Sequence, residues 1–386
     1  MTRKEFVKMC GVLGIGLPLQ TSLTSCREES VTKAPEKVLI IGAGAAGLTA
    51  AYLLHQRGIE VQVLEASSEY GGRMRTTNDF ADFPISLGGE WLHVGRGVFD
   101  EIVNDASKEV TIETTPYDPA VDYGLFEGQQ VSVSDIGFTI DQKFIDASWF
   151  DFFEAYVTPS VKEFILFNQI VSAVDYAGDQ VSVVVGDEEY TADSVIVTIP
   201  VKMLQNESIS FNPELPDQKL EAIRDVTVWD GCKAFIAFSE KFYPTFIGFN
   251  IEPETAGQKL YYDAAYGQRT DENILGLFAV GTGTLPYVEL SDEQLIAYML
   301  DELDEIFDGQ ASANYMNHLF QNWNAAPFAN GAYVVDHENW RRVRTLGESV
   351  GNKLFFAGDA YTTGEDWSSV HTAARSALRA VAEMVG

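Results

Sequence analysis

The amino-acid sequence predicts an α/β fold, and three consecutive features near its start carry this prediction. Residues 38–41 form a short apolar run typical of a buried strand, and residues 45–57 have the composition of a helix. Residues 61–64 form a second apolar run of the same kind. Residues 42–47 join the first strand to the helix with the pattern Gly-x-Gly-x-x-Gly. This order of strand, glycine-rich turn, helix and strand indicates a Rossmann-like dinucleotide-binding domain.

Further strands are predicted along the rest of the chain. Residues 170–174 and 181–185 predict a hairpin, because Gly178 and Asp179 interrupt two apolar runs. A strand over residues 195–199 is expected to end before Pro200, which cannot donate a backbone hydrogen bond. Other strand-like runs lie at residues 234–238, 260–262, 275–280 and 354–356.

Two more helices are predicted in the second half of the chain. Residues 290–306 have a helical pattern, with Ser291 as the expected N-terminal cap. The last helix is the best defined, because apolar residues recur on a single face of it. These residues are Val370, Ala373, Ala374, Ala377, Leu378, Val381, Ala382 and Val385.

The composition is that of a globular protein with a strongly acidic surface. The chain has 386 residues, of which 46% are hydrophobic, so it is long enough for two or three domains of about 150 residues. It carries 57 acidic and 26 basic residues, a formal net charge of −31. This balance argues against a nucleic-acid partner and against docking on anionic lipid through a basic patch. The charge either keeps the protein soluble or attracts cationic substrates, and alone it does not decide between the two.

Residues 1–26 resemble an export signal and are left out of the fold. A basic start precedes an apolar stretch at residues 9–19, which is too short for a bilayer-spanning helix of about 20 residues. A run of small residues ends in Cys26, as in a bacterial lipobox, and the basic start resembles a twin-arginine signal with Lys4 replacing one arginine. We therefore expect an exported protein, either periplasmic or anchored in the membrane through a lipid on Cys26. The alternative is an unprocessed N-terminus.

Each of the three glycines in the glycine-rich turn has a physical reason to be glycine. Gly42 permits a tight turn, Gly44 allows the backbone to approach a pyrophosphate, and Gly47 allows close packing of helix and strand. The N-terminus of the helix supplies N–H donors for the phosphates. Glu65 follows 23 residues after Gly42, at the end of the next strand, where it can accept hydrogen bonds from a ribose. This favours FAD or NAD over a 2′-phosphorylated cofactor.

Two further segments add to this pattern. Gly71 and Gly72 precede Arg73, whose guanidinium can reach a phosphate at little steric cost, although a solvated surface turn is the alternative. Near the C-terminus, a predicted strand ends at Gly358 and Asp359, a few residues before the last helix.

With these segments together, the chain resembles the flavin-containing amine oxidase family, which includes monoamine, polyamine and L-amino-acid oxidases. The resemblance implies a bound FAD. The attachment is expected to be non-covalent, since no cysteine follows Cys232. The flavin-binding positions that it implies are Gly42, Gly44, Ala45, Ala46, Gly47, Glu65, Ala66, Gly72, Arg73, Gly88, Gly89, Glu90, Trp91, Val171, Gly358, Asp359, Ser369 and Val370.

The resemblance also implies a discontinuous division into domains. The FAD-binding domain is expected at residues 36–93, 168–230 and 350–386. The substrate-binding domain, of α+β type, is expected at residues 94–167 and 231–349. The stretch between residues 91 and 170 is short for the family, so we expect a reduced helical cap over the substrate site.

The implied reaction oxidises the C–N bond of a small amine to an imine, with dioxygen reduced to hydrogen peroxide. Lys233 falls at the position of the family lysine that holds a water at flavin N5, and burial lowers the pKa of such a lysine. His93, Trp323 and Trp367 are the other catalytic candidates, and an aromatic cage could include Trp367 beside Tyr361. The usual second aromatic of the cage falls near Ser369, which departs from the monoamine oxidase pattern.

Other functions remain open or are disfavoured. A flavin desaturase or dehydrogenase with a quinone acceptor is one alternative, and a flavin-binding lipoprotein without oxidase activity is another. The five histidines show no metal-ligand spacing, so no metal site is predicted. The sequence contains no Gly-x-Ser-x-Gly nucleophile motif.

Overall fold

The computed structural model describes most of the chain after the predicted export signal. The signal over residues 1–26, with its candidate lipid site at Cys26, lies outside the described part. The described residues are 34–118, 123–127, 130–133, 141–251, 256–335 and 339–386. Within these ranges, the structure contains no helix with the length and apolar character needed to cross a bilayer.

A parallel sheet of five strands forms the centre of the nucleotide-binding half, as predicted. Its central strand is buried along four of its five residues, and both of its neighbours run parallel to it. In spatial order the strands are β20 (Leu354–Phe356), β13 (Ser194–Val197), β1 (Lys37–Ile41), β2 (Glu60–Leu64) and β9 (Ile165–Leu166). Only β9 was not predicted, because a two-residue strand leaves no periodic signal in the sequence.

Helices α1 (Ala45–Gln56) and α9 (Val370–Val385) pack together against this sheet. Small residues on both helices, such as Ala50 and Ala377, are fully buried and allow a close approach. Helices α2 (Gly97–Val103) and α3 (Trp149–Tyr156) join the same core. Part of the stretch that was assigned to the substrate domain therefore packs on the nucleotide-binding half, since its aromatic residues complete that core.

A four-stranded sheet lies beside the parallel sheet and contains the predicted hairpin. Its strands, in spatial order, are β12 (Glu188–Ala192), β11 (Val181–Val185), β10 (Val171–Asp175) and β14 (Ser210–Asn212). Strands β10 and β11 are antiparallel, as the sequence predicts. The helices of this region are α4 (Val201–Gln205), α5 (Asp217–Asp225) and α8 (Trp340–Gly347).

The substrate half is built on a seven-stranded sheet. In spatial order its strands are β19 (Tyr315–Asn322), β15 (Gly231–Phe238), β18 (Asn273–Gly281), β17 (Gly257–Asp263), β16 (Phe246–Phe249), β6 (Tyr123–Glu127) and β7 (Gln130–Val133). One face packs on α6 (Asp292–Phe307), which begins with Ser291 and Gln294 in a reciprocal capping box. The remaining elements are α7 (Gln310–Asn314) and the pairs β3 (Thr76–Thr77) with β4 (Ile85–Ser86) and β5 (Thr114–Pro116) with β8 (Gln142–Phe144).

Candidate functional site

A cavity of about 1410 Å³ connects the two halves. Residues that follow the carboxyl ends of three parallel strands line one end of it: Gly42, Glu65 and Thr198. Side chains of the seven-stranded sheet, among them Lys233 and Phe278, line the other end. Ligands of open α/β sheets bind at such carboxyl ends, so the cavity has the place that a dinucleotide site requires.

The glycine-rich turn has the geometry that the sequence predicts. Gly42 has φ +104°, which favours glycine, and a Cβ on Gly47 would lie 2.0 Å from the carbonyl oxygen of Gly42. Gly47 therefore serves helix–strand packing and lies behind the cavity wall. A Cβ on Gly44 would meet nothing within 4 Å, so the space before the N-terminus of α1 is open. This space and the free N–H groups of the helix fit a diphosphate group.

Glu65, which directly follows β2, accepts hydrogen bonds from the glycine-rich turn and from Ser67. The backbone N–H of Ala43 donates to Glu65 Oε2 at 2.6 Å. Ser67 donates from its backbone N–H, at 2.9 Å, and from its hydroxyl, at 2.7 Å, to Glu65 Oε1. These contacts fix the carboxylate at the cavity wall, where its remaining lone pairs can accept from ribose hydroxyls.

Arg73 and Asp359 form an ion pair at the middle of the cavity wall. The distances are 2.5 Å between Nη2 and Oδ1 and 3.1 Å between Nη1 and Oδ2, a bidentate geometry. Arg73 Nη1 also donates to the carbonyl oxygen of Ala332. The sequence names these two residues separately as flavin-binding positions, and in the structure they form one charged pair contributed by segments near the two ends of the chain.

The N-terminus of α9 faces the cavity. Ser369 caps the helix through reciprocal contacts with Thr372, and Ser369 and Val370 line the cavity. The segment around Gly89 packs closely on the start of this helix, since a Cβ on Gly89 would lie 2.6 Å from Val370 Cγ2. The positive end of the helix dipole therefore points into this part of the cavity.

The other predicted cofactor positions also line the cavity. They are Ala45, Ala46, Ala66, Gly72, Gly88, Glu90, Trp91, Val171 and Gly358.

Lys233 lies on β15 with 2% of its surface exposed. Its ammonium donates to the carbonyl oxygen of Ser86 at 3.0 Å and to Glu90 Oε2 at 2.5 Å. Burial lowers the pKa of Lys233, and the carboxylate of Glu90 opposes this effect. The predicted lysine is thus present at the cavity wall, and it pairs with Glu90, which the resemblance implies only as a flavin-binding position.

Glu90 is the centre of a buried cluster. Besides Lys233, it accepts from the Tyr262 hydroxyl at 2.5 Å and pairs with Lys143 Nζ at 3.2 Å. Burial opposes ionisation of Glu90, but the two lysines and the tyrosine outweigh it and lower the pKa to about 2. Both carboxylate oxygens are therefore engaged by the protein itself. Sequence reasoning missed Lys143 and Tyr262, since neither belongs to a motif and only the packing of two different sheets brings them together.

The substrate end of the cavity is aromatic. The ring of Trp91 lies 4.7 Å from that of Tyr262, 6.0 Å from that of Tyr117 and 6.4 Å from that of Phe278, between centroids. Trp323 also lines the cavity, and its indole N–H donates to the carbonyl oxygen of Leu87 at 2.8 Å. These rings form a wall suited to the carbon chain of a substrate.

His93 has a carboxylate partner at the same end of the cavity. His93 Nδ1 lies 3.0 Å from Asp141 Oδ1, and both residues line the cavity. The partner fixes the orientation of the imidazole ring. Asp141 is a further site residue that the sequence did not reveal, because it belongs to no motif.

Trp367 and Tyr361 lie elsewhere, which corrects the predicted aromatic cage. In the described part of the chain, neither residue lines the cavity. Trp367 packs on the apolar core beneath the four-stranded sheet, and Tyr361 belongs to that core with its hydroxyl bonded to the carbonyl oxygen of Ile199 at 2.8 Å. Ser368, with φ +69°, turns the backbone between Trp367 and the cap of α9. The Trp367 side chain is therefore partly buried against this core and does not line the cavity.

Comparison with known proteins agrees with this geometry. A family model described as flavin-containing amine oxidoreductase matches residues 45–163 and 154–385. Lysine-specific histone demethylase 2 of Homo sapiens is 24% identical over 93% of this chain, which spans only 54% of that protein. Probable polyamine oxidase 4 of Arabidopsis thaliana is 25% identical over 87% of this chain and 84% of its own length. A solved structure of a putrescine oxidase mutant has the same fold, with a TM-score of 0.75 at 16% identity over 90% of this chain and 98% of that one.

Proposed function

The chain belongs to the family of flavin-containing amine oxidoreductases, and on this premise we propose that it binds FAD non-covalently and oxidises the C–N bond of a small amine. The observation that carries the proposal is the continuity of one cavity. It runs from the glycine-rich turn, past the Arg73–Asp359 pair, to the buried lysine Lys233 and the aromatic wall. A nucleotide end and a reactive end are thus joined in one cavity.

The residues of the cavity fit each part of FAD. The open space at Gly44 and the N-terminus of α1 would hold the diphosphate, and Glu65 would hold the adenosine ribose. The N-terminus of α9 and the wall at Lys233 would surround the flavin ring. When bound, the flavin supplies the acceptor for a hydride equivalent from the carbon next to the amine nitrogen, and dioxygen then takes the two electrons to become hydrogen peroxide.

The protein's own groups would prepare the substrate. An amine enters as an ammonium and must lose a proton before its C–H bond can react. His93 is the group that we assign to accept this proton, since Asp141 orients its ring at the cavity surface. Trp91, Tyr117 and Phe278 pack on the carbon chain and exclude water from it. Lys233 would hold the water that later hydrolyses the imine to an aldehyde and an amine or ammonia.

The names of the similar proteins support small amines as the substrate class, because they include polyamine oxidases and a putrescine oxidase. We further propose that the predicted export signal directs the protein out of the cytoplasm, to the periplasm or to a membrane in which a lipid on Cys26 would anchor it.

The test is anaerobic reduction of the purified protein. After the bound flavin has been identified, the protein is mixed without air with diamines, polyamines, monoamines and amino acids in turn. Bleaching of the flavin by an amine, followed by hydrogen peroxide on admission of air, is the expected result. Bleaching with slow reoxidation by air and fast reoxidation by a quinone identifies a dehydrogenase instead. A flavin that no amine bleaches contradicts the proposal and favours a binding protein without oxidase activity.

A further inference from the structure

The cluster around Glu90 holds more positive than negative charge. Lys233 and Lys143 share this one carboxylate, with Nζ–O distances of 2.5 and 3.2 Å. Each of the two lysines exposes 2% of its surface. Within the described residues, neither ammonium has a second carboxylate at ion-pair distance. Counted as ionised groups, the cluster carries one net positive charge in the interior.

The excess charge is stabilised by dipoles and rings rather than by a counter-ion. Lys143 Nζ donates to the backbone carbonyl oxygens of Ala264, at 2.9 Å, and of Asp263, at 3.3 Å. It also lies 5.3 Å from the centroid of the Tyr262 ring. The side-chain carboxylate of Asp263 pairs with Lys241 at 2.8 Å and is therefore already engaged. A buried charge that is solvated in this way persists only where the structure fixes its position.

We propose that Lys143 and Glu90 are positioning residues that set the charge of the cavity wall at Lys233, so that this wall presents one net positive charge to the flavin ring. The inference rests on the proposed flavin site and concerns the tuning of its redox potential. Glu90 fixes the ammonium of Lys233 and neutralises one positive charge. Lys143 adds a second positive charge, which leaves the cluster with a net charge of one. Neither residue needs to touch the substrate.

A positive charge beside the flavin ring raises the midpoint potential of the flavin. A flavin becomes more negative when it accepts electrons, so a nearby positive charge favours the reduced form. The surroundings are buried and aromatic, and the interaction is therefore stronger than it would be in water. A helix N-terminus, here that of α9, acts in the same direction. Loss of the Lys143 charge should lower the midpoint potential of the bound flavin.

The test is the midpoint potential of the bound flavin in four variants, measured by equilibration with reference dyes. Lys143→Met makes the cluster neutral, and we expect a lower potential than in the wild type. Glu90→Gln combined with Lys143→Met restores one net positive charge, and its potential should return toward the wild-type value. Lys143→Arg keeps the charge and should keep the potential. Lys37→Met is the control and should keep the potential, because it removes a partly exposed lysine that pairs with exposed Glu60 and, in the described part of the chain, does not line the cavity.

The double variant separates charge from structural damage. A merely structural role of Lys143 predicts that the double variant lies below Lys143→Met, and that result overturns the inference. An unchanged potential in Lys143→Met overturns it as well. If Lys143→Met does not fold, the potentials of Glu90→Gln/Lys143→Met and Glu90→Gln/Lys143→Arg are compared. The second should be higher, and equality contradicts the inference. Wild-type protein without any flavin would contradict the proposed function instead.

Discussion

At the scale of single residues, the site depends on groups whose surroundings change their chemistry. Lys233 would be an ordinary surface lysine on an edge strand. It is buried because β15 lies inside the sheet, between β18 and β19, and its ammonium donates a hydrogen bond to Glu90. Burial and a single carboxylate thus convert a common side chain into a fixed donor at the cavity wall.

We expect Lys233→Met to retain the flavin and to slow amine oxidation about 100-fold, the order of the loss when one positioned hydrogen-bond donor is removed from an active site. The reason is that methionine keeps the packing of the side chain but donates no hydrogen bond. Rapid mixing with substrate measures flavin reduction, and rapid mixing with air measures reoxidation. If both rates equal those of the wild type, Lys233 has no role in the reaction.

Gly47 offers a second test at this scale. Its helix packs so closely on β1 that a Cβ would collide with the carbonyl oxygen of Gly42 at 2.0 Å. We expect Gly47→Ala to lower the free energy of unfolding by about 1–3 kcal/mol, as overpacking does, and to weaken flavin binding. Gly97→Ala is the control, since a Cβ there meets nothing within 4 Å. Urea unfolding measures both, and equal stabilities would show that the turn can shift to admit a methyl group.

Local motifs name residues that the structure brings to one end of the cavity, and long-range contacts explain the residues that they do not name. Gly42, Gly44, Glu65 and Arg73 lie in short segments with fixed spacing, and all four line the cavity. Lys143 and Asp141 have no such spacing, because contacts between residues far apart in sequence bring them to their partners. The prediction for Trp367 rested on its nearness in sequence to α9. Its side chain nevertheless packs against the core and not toward the cavity.

At the scale of elements, α8 is fixed at its C-terminal end by a lysine from another helix. Lys219 on α5 exposes 3% of its surface and donates to three carbonyl oxygens, those of Thr345, Leu346 and Glu348, at 3.1, 2.8 and 2.6 Å. Its ammonium also lies 3.7 Å from the ring centroid of Phe356. A cation at a helix C-terminus is favourable, so one side chain joins α5, α8 and β20.

We expect Lys219→Met to lower the free energy of unfolding by about 3 kcal/mol, because three buried carbonyl groups lose their donor. The measurement is urea unfolding followed by tryptophan fluorescence. Arg224→Met on the same helix is the control, since that side chain is mostly exposed and its ion pair with Asp225 is screened by water, so its loss should change the stability much less. Equal effects of the two substitutions would contradict the role of Lys219 in fixing α8.

The elements themselves were predicted where their pattern is local. Helix α9 and the capped start of α6 agree with the structure, because a stripe of apolar residues and a cap are visible in the sequence. Strands of the large sheet are longer than predicted, since hydrogen bonds to neighbouring strands extend them over residues without apolar character. Strand β17 shows this, as Gly257, Gln258 and Lys259 precede its apolar part.

At the scale of the whole molecule, the short stretch before residue 170 has two roles. Its helices α2 and α3 complete the core around α1 and α9, and β8 delivers Lys143 to Glu90. The family resemblance predicted a reduced cap from length alone. It could not predict that the remaining residues would pack on the nucleotide-binding half, because that depends on which apolar surface is left open in three dimensions.

The net charge of −31 gives the last prediction, which concerns the whole surface rather than any one site. Amine substrates are cations, so the field of an acidic protein should raise their concentration near the cavity. The Debye length falls from about 30 Å at 0.01 M salt to about 8 Å at 0.15 M, and long-range attraction weakens accordingly. We therefore expect the apparent KM to rise with salt while kcat stays constant, and to rise more for a diamine than for a monoamine. Steady-state kinetics over this range measures both, and a KM independent of salt would leave the charge with a role in solubility alone.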